Sequence, residues 1–209
     1  IPHQTIIGRP TNSITGQKSR FVDYRDGNSC TVEELVLEYY LTQRVNDQWY
    51  GLHCEGSPVR NLYGILMWEI IFDPSVPQVF LTPFQDAPLD LNGNENHFVQ
   101  NRQTLHKHKL NEISKWSSLE LFDTIQLNWN KHNGQICRGV NWQSQMCDPR
   151  FLGIIGVAIG GFTLSKMFAT MSSNYNYGRA GLPDLVMWRQ KNTSERRRGN
   201  NNSSNNSSN

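Results

Sequence analysis

The sequence has no long hydrophobic run. Its most apolar stretch, "FLGIIGVAIGGF" (Phe151 to Phe162), holds four glycines and is soon followed by Lys166. A bilayer-spanning helix needs about 20 apolar residues, so this stretch reads as a buried segment and no membrane partner is expected. An excess of one charge is lacking too. Twenty Lys and Arg against 18 Asp and Glu leave a net charge of +2, so any basic surface for nucleic acid has to be local. The four cysteines, Cys30, Cys54, Cys137 and Cys147, form no Cys-x-x-Cys pair and no close His–Cys cluster. That argues against a structural zinc site and for reduced, buried thiols of an intracellular protein, a secreted disulfide protein remaining the alternative. No signal peptide opens the sequence, which begins with isoleucine and is read as a fragment or processed product.

What is present is one domain's worth of core: 37% hydrophobic residues in 209. Turn residues between short apolar pieces from Thr5 to Cys30 suit a strand-and-loop region. A helix start follows, with Thr31 and Glu34 spaced as a capping box and Val32, Leu35, Val36, Tyr39 and Tyr40 on one face. A second helix is predicted from Ser57 as N-cap, with Pro58 at its first position and Leu62, Ile65, Leu66, Trp68 and Phe72 on its apolar side, stopping at Asp73-Pro74. Gln78 to Leu91 reads as loops and short strands, and Asn101 to His132 as polar-surfaced helix. After Gly160-Gly161, Leu164, Met167, Phe168 and Met171 predict another amphipathic helix. "SSNYNYGRAG" reads as a turn-rich connector and "LVMW" (Leu185 to Trp188) as a buried strand. From Arg189 apolar residues disappear, and an Asn/Ser tract ends the sequence as a low-complexity tail. The divisions expected are therefore a strand/loop region over 1–30, a main domain over 31–188 and a disordered tail over 189–209.

Two acids stand out by setting. Asp184, in "GRAGLPDLVMW" (Gly178 to Trp188), opens an apolar strand after a glycine-rich turn. A carboxylate at a rigid strand end suits a hard cation such as Mg²⁺, which takes oxygen ligands and keeps room for water and phosphate; Leu-Pro-Asp is also ordinary turn chemistry. Glu55, in "GLHCEGSPVRNLYGILMWEIIF", sits just before a helix, where the dipole favours its ionised form; an acid merely complementing that dipole is the plainer reading. "HKHK" (His106 to Lys109) reads as a solvated helix face, and Tyr63 and Trp68 as core.

Taken together, the stretches "TIIGRP", "TVEELVLEYY", "GLHCEGSPVRNLYGILMWEIIFDPSVPQVF", "PLDL" and "GRAGLPDLVMW" resemble, in order, the Fanconi-associated nuclease family, whose VRR-type catalytic domain belongs to the PD-(D/E)xK superfamily. The resemblance implies an α/β, restriction-endonuclease-like core with flanking helices. It implies Mg²⁺- or Mn²⁺-dependent cleavage of DNA phosphodiesters, as a structure-specific 5′-flap endonuclease or 5′–3′ exonuclease of interstrand cross-link repair in the nucleus. Glu55 and Asp184 match two of the family's catalytic metal-ligand carboxylates, and Arg179 stands near a family arginine that holds a DNA phosphate, with Asn176 at the matching position itself. The family's remaining motif, Glu-x-Lys in an apolar strand, finds only Glu195-Arg196-Arg197 in a polar setting. The core is therefore expected to be incomplete, and the protein truncated at its C-terminal end and weak or inactive. The zinc finger by which family members meet ubiquitinated repair factors is not in this sequence. Two alternatives stay open: a non-catalytic DNA-binding isoform, and a truncated product without function.

Overall fold

The computed structural model describes residues 5–11, 18–43, 49–93 and 96–189; the tail from residue 190, with Glu195, lies outside the described residues. The protein is a mixed α/β structure of many helices and two small sheets, and it divides into two compact units, Ile1–His53 with Leu185–Asn209, and Cys54–Asp184. These units differ from the sequence-based divisions at 30/31 and 188/189, because the helix Val32–Gln43 packs on the strand Trp49–His53, which pairs with Leu185–Arg189.

In the first unit, β1 (Phe21–Val22) and β2 (Ser29–Cys30) form an antiparallel hairpin. Helix α1 (Val32–Gln43) follows, and its capping box forms as expected: the Thr31 N–H donates to the Glu34 carboxylate at 2.7 Å and the Glu34 N–H to Thr31 Oγ1 at 3.2 Å. Leu35 points into the core, and the buried Glu38 carboxylate pairs with Arg25. Strand β3 (Trp49–His53), not expected from the sequence, pairs antiparallel with β4 (Leu185–Arg189), with His53 opposite Leu185 and Tyr50 stacked on Trp188. β4 is a strand as expected, but half-buried rather than buried: among the described residues it has one strand neighbour, and a two-stranded ribbon covers only part of each residue.

The second unit is helical. Helix α2 (Ser57–Leu66) carries Pro58 in its first turn, but the cap lies one residue earlier than expected, at Gly56 with φ 70°. The predicted run to Phe72 is interrupted at Met67, where φ −99° and ψ 12° leave the helix before α3 (Trp68–Ile71). The Asn128 amide meets the freed Ile65 carbonyl at 3.3 Å. Asp73 then ends the element, its carboxylate accepting the Ser75 N–H at 2.9 Å. Residues 78–91 contain no strand; Gln85 gathers the loop by accepting the Leu81 and Thr82 N–H groups and donating to the carbonyls of Val79 and Ala87.

Helices α4 (His97–Asn101), α5 (Gln103–Lys115) and α6 (Ser118–His132) supply the expected polar-surfaced segment. The "HKHK" face is split: Lys107 and His108 are exposed, but His106 turns inward, edge-on to Phe98. Helix α7 (Pro149–Ile159) ends at Gly160, φ 83°, where the backbone bends by 99° into α8 (Gly161–Ser173). No single helix among the described residues is long and apolar enough to cross a membrane. Leu164, Phe168 and Met171 of α8 are buried, joining Leu62, Tyr63, Ile65, Ile113, Ile125 and Leu152 in the core. Tyr63 and Trp68 are core residues, as read. The connector "SSNYNYGRAG" is in fact helical over α9 (Tyr175–Ala180), because Asn174 caps it, its side-chain oxygen accepting the Tyr177 N–H at 3.0 Å. All four cysteines are buried and free. Burial pushes the Cys137 thiol up to about 12, so it is a packing group and not a nucleophile.

Candidate active site

The site is built on a tight turn. After β3, Glu55 and Gly56 adopt consecutive left-handed conformations, φ 46° and 70°, and the Ser57 N–H closes the turn on the Cys54 carbonyl at 2.8 Å. A side chain at φ 46° is uncommon and carries strain, tolerated where the surroundings hold it. Burial and two contacts do so here. Cys54 is buried, the Arg60 Nη1 donates to the Glu55 carbonyl at 2.6 Å, and Gly56 lies so close to Leu182 that a Cβ there would overlap it.

That last contact joins the two acidic stretches. Leu182 and Pro183 lead to Asp184, whose carbonyl accepts two N–H groups, from Cys54 at 2.8 Å and from Glu55 at 3.2 Å. Glu55 and Asp184, distant in sequence, thus share a backbone junction, and both residues are exposed. Among the described residues no group of three or more His, Cys, Asp or Glu is placed to hold a metal ion. The donor set here is a pair of exposed carboxylates, which suits a Mg²⁺-type cation that keeps several waters and takes one or two protein carboxylates plus substrate phosphate.

Arg179 lies on the exposed side of α9, its guanidinium 6.0 Å from the ring centre of the buried Tyr175. Asn176 is exposed on the same helix. Sequence reading passed over Arg60, although its place in the first turn of α2, five residues after Glu55, marks it as a residue able to reach back over the turn. Tyr175 was equally overlooked; its signal was the Asn174 cap that makes the segment helical.

The backbone of Glu55, at a turn, is thus joined to that of Asp184, at a strand start, on a helix-rich α/β scaffold. A VRR-NUC domain matches residues 100–197, a span that includes Asp184 and begins after Glu55. At 90% coverage of this chain, a Fanconi-associated nuclease 1 homolog of Oryza sativa subsp. japonica is 37% identical over 189 residues. The Danio rerio Fanconi-associated nuclease 1 is 37% identical over 159 residues, 76% of this chain and 16% of that protein, and the Homo sapiens protein 30% over 197 residues, 91% and 19%. A crystal structure of paFAN1 bound to 1-nucleotide 5′-flap DNA with gap superposes with a TM-score of 0.61 at 26% identity, covering 77% of this chain and 27% of that one. The chain belongs to the Fanconi-associated nuclease family. It spans 18% of the length of the rice relative and 19% of the human one.

Proposed function

We propose that this protein supplies Glu55 and Asp184 to a divalent-metal-dependent DNA phosphodiesterase that cuts 5′-flapped or branched DNA in cross-link repair, in the nucleus and with Mg²⁺ or Mn²⁺ as cofactor. The observation that supports it most is the shared junction: one carbonyl, that of Asp184, accepts the N–H groups of both Cys54 and Glu55. Family membership and the flap-bound DNA of paFAN1 point to the substrate. In this reading the cation, when bound, neutralises charge on the attacked phosphate and acidifies a water. The protein's own part is positional. Glu55 and Asp184 hold the cation from a turn and a strand start, and Arg179 receives a DNA phosphate from α9. Ubiquitinated repair factors would be met through other parts of a longer protein.

Because no third acid joins the pair among the described residues, a second reading stands for this chain alone: flap binding with little cutting. The test is calorimetric titration of Mn²⁺ into the protein and into Glu55→Ala and Asp184→Ala, alongside incubation with a 5′-flap duplex. Mn²⁺ binding weakened at least about tenfold by each substitution is expected. Equal Mn²⁺ binding in either variant overturns the assignment of that carboxylate.

A further inference from the structure

Two aromatic rings stand out from the surface of the helical unit. Among the described residues Phe84 and Tyr177 carry the two most exposed aromatic side chains, at 81% and 77%. A single exposed apolar residue needs no explanation, since much of any protein surface is apolar. These two are set apart by how firmly the backbone beneath each ring is held. Tyr177 lies on α9, whose Tyr175 is buried and whose Gly178 sits so close to α8 that a Cβ there would come within 2.8 Å of Met171 Cα. Tyr175 and Gly178 therefore seat the helix, and Tyr177, about 200° round the axis from Tyr175, is turned to solvent. The Asn174 cap fixes the start of α9, and the Gly181 N–H closes on the Tyr177 carbonyl at 3.3 Å.

Phe84 is held by the two residues that follow it. The Gln85 side chain gathers the backbone of Leu81, Thr82, Val79 and Ala87. Asp86 receives the fork of Arg138, Nη2 to Oδ1 at 2.6 Å and Nε to Oδ2 at 3.1 Å, and its carbonyl accepts the Arg138 N–H at 2.7 Å. The two braced segments meet: α9 packs on the 3-10 turn Leu89–Asn92 at the end of the Phe84 loop, and the Tyr175 hydroxyl donates to the Arg138 carbonyl at 3.4 Å. Each segment also leads to the acidic pair. From α9 the chain passes through Leu182, packed on Gly56, into Asp184. On the other side Gly139, next to Arg138, lies against the stem of Arg60, whose Nη1 holds the Glu55 carbonyl at 2.6 Å.

We propose that Phe84 and Tyr177 are stacking platforms for unpaired bases of the DNA strand that Glu55 and Asp184 receive. The proposal rests on the nuclease reading above and deepens it, by naming the substrate feature that the protein surface meets beside the acids. A base inside a duplex has both faces covered by its neighbours, so a ring held out in solvent takes only a nucleotide that has left the stack. A flap supplies such nucleotides. Every base has a π-face, so the contact serves a nuclease that reads DNA structure and not sequence. Aromatic side chains have two torsions and lose little freedom on binding, and a braced backbone beneath them lowers that loss further. Neither ring is charged. Stacking therefore leaves the salt dependence of binding as it is, which separates it from a phosphate contact.

The experiment is equilibrium binding of a fluorescent 5′-flap duplex to the full chain in EDTA, at a series of salt concentrations, with either an ordinary flap or a flap of abasic nucleotides. Phe84→Ala, Tyr177→Ala, Tyr177→Phe and Phe162→Ala, a change at an exposed aromatic of α8, are compared with the parent protein. On the ordinary flap each of the first two variants is expected to bind at least about fivefold more weakly, the loss of one stacked base. Tyr177→Phe and Phe162→Ala are expected to bind as the parent does, and the slope of log K against log salt to stay the same throughout. On the abasic flap the parent binds more weakly and the alanine variants lose nothing further. If Phe84→Ala does not fold, Phe84→Leu, which keeps the apolar bulk without the ring, takes its place. Unchanged binding of the ordinary flap by a folded variant overturns the part assigned to that ring. Equal losses on both flaps show a ring that serves the fold or a protein partner, and overturn the proposal. In either case flap binding by the parent leaves the nuclease reading standing. No binding of either flap by the parent overturns that reading and the platforms with it.

Discussion

Replacing Gly56 by alanine tests the junction on which the site depends. At φ 70° an L-residue pays a conformational cost of roughly 1–2 kcal/mol. The added Cβ would also overlap Leu182 Cβ, well inside the 3.0 Å that real Cβ atoms keep. Because Leu182 Cβ is fixed by its own backbone, no rotamer change relieves the clash. The segment leading to Pro183 and Asp184 has to move, and overpacking of this kind costs about 1–3 kcal/mol more. The expected loss for Gly56→Ala is therefore about 2–5 kcal/mol, summed from those two costs. Gly134→Ala is the control. Its φ of 81° is equally left-handed, but nothing lies within 4 Å of the Cβ position, so only the conformational cost of about 1–2 kcal/mol applies. Urea unfolding followed by tryptophan fluorescence measures both, with the slope against urea checked for constancy. Mn²⁺ titration gives a second readout, weakened in Gly56→Ala at least about tenfold and unchanged in Gly134→Ala. Equal destabilisation by the two substitutions, or Mn²⁺ binding untouched in Gly56→Ala, refutes the reasoning.

Asn61, fully buried, donates to the Met146 carbonyl at 3.1 Å and accepts the Asn141 N–H at 3.1 Å. Asn61→Ala strands both backbone groups, and urea unfolding should show a loss of about 2–4 kcal/mol, whereas a loss below about 1 would show that water replaces the amide. His106 is buried against Phe98, and burial lowers its proton affinity below the ordinary histidine value. The unfolded protein therefore takes up the proton first as pH falls through about 6.5, so this contribution is complete above that value and is lost as pH drops toward the folded-state pKa. His106→Leu should flatten the decline in stability between about pH 7 and 5, measured by urea midpoints, and an unchanged decline would locate it elsewhere.

Local chemistry made much of the helical scaffold legible. The Thr31–Glu34 box, Pro58 in a first turn and the spacing of Leu164, Phe168 and Met171 each depend on neighbours within one or two turns, and each appears in the structure. Where the reading departed from the structure, longer contacts decided. Met67 breaks the predicted helix where α6 supplies Asn128 to the loosened Ile65 carbonyl. His106 turns inward because Phe98 of another helix is there to receive it. β3 went unread because "WYGLH" is short and half-buried, and it becomes a strand only by pairing with β4. The α9 helix could have been found from the Asn174 cap, but the density of polar and glycine residues around it favours a turn when pairing and packing are unknown.

The sequence by itself determined which side chains were available: two acids in backbone settings that hold them still, a resemblance carried by ordered motifs, and arginines near those acids in sequence. It could not determine that the Asp184 carbonyl would take the N–H groups of Cys54 and Glu55, or that the Arg179 guanidinium would lie against the ring of the buried Tyr175. Caps and periodicities are written in adjacent residues, since the forces that set them act over a few bonds. Convergence of distant segments is decided by close packing, where Gly56 admits Leu182 and Gly139 admits Tyr175 only once the helices between them have been brought together.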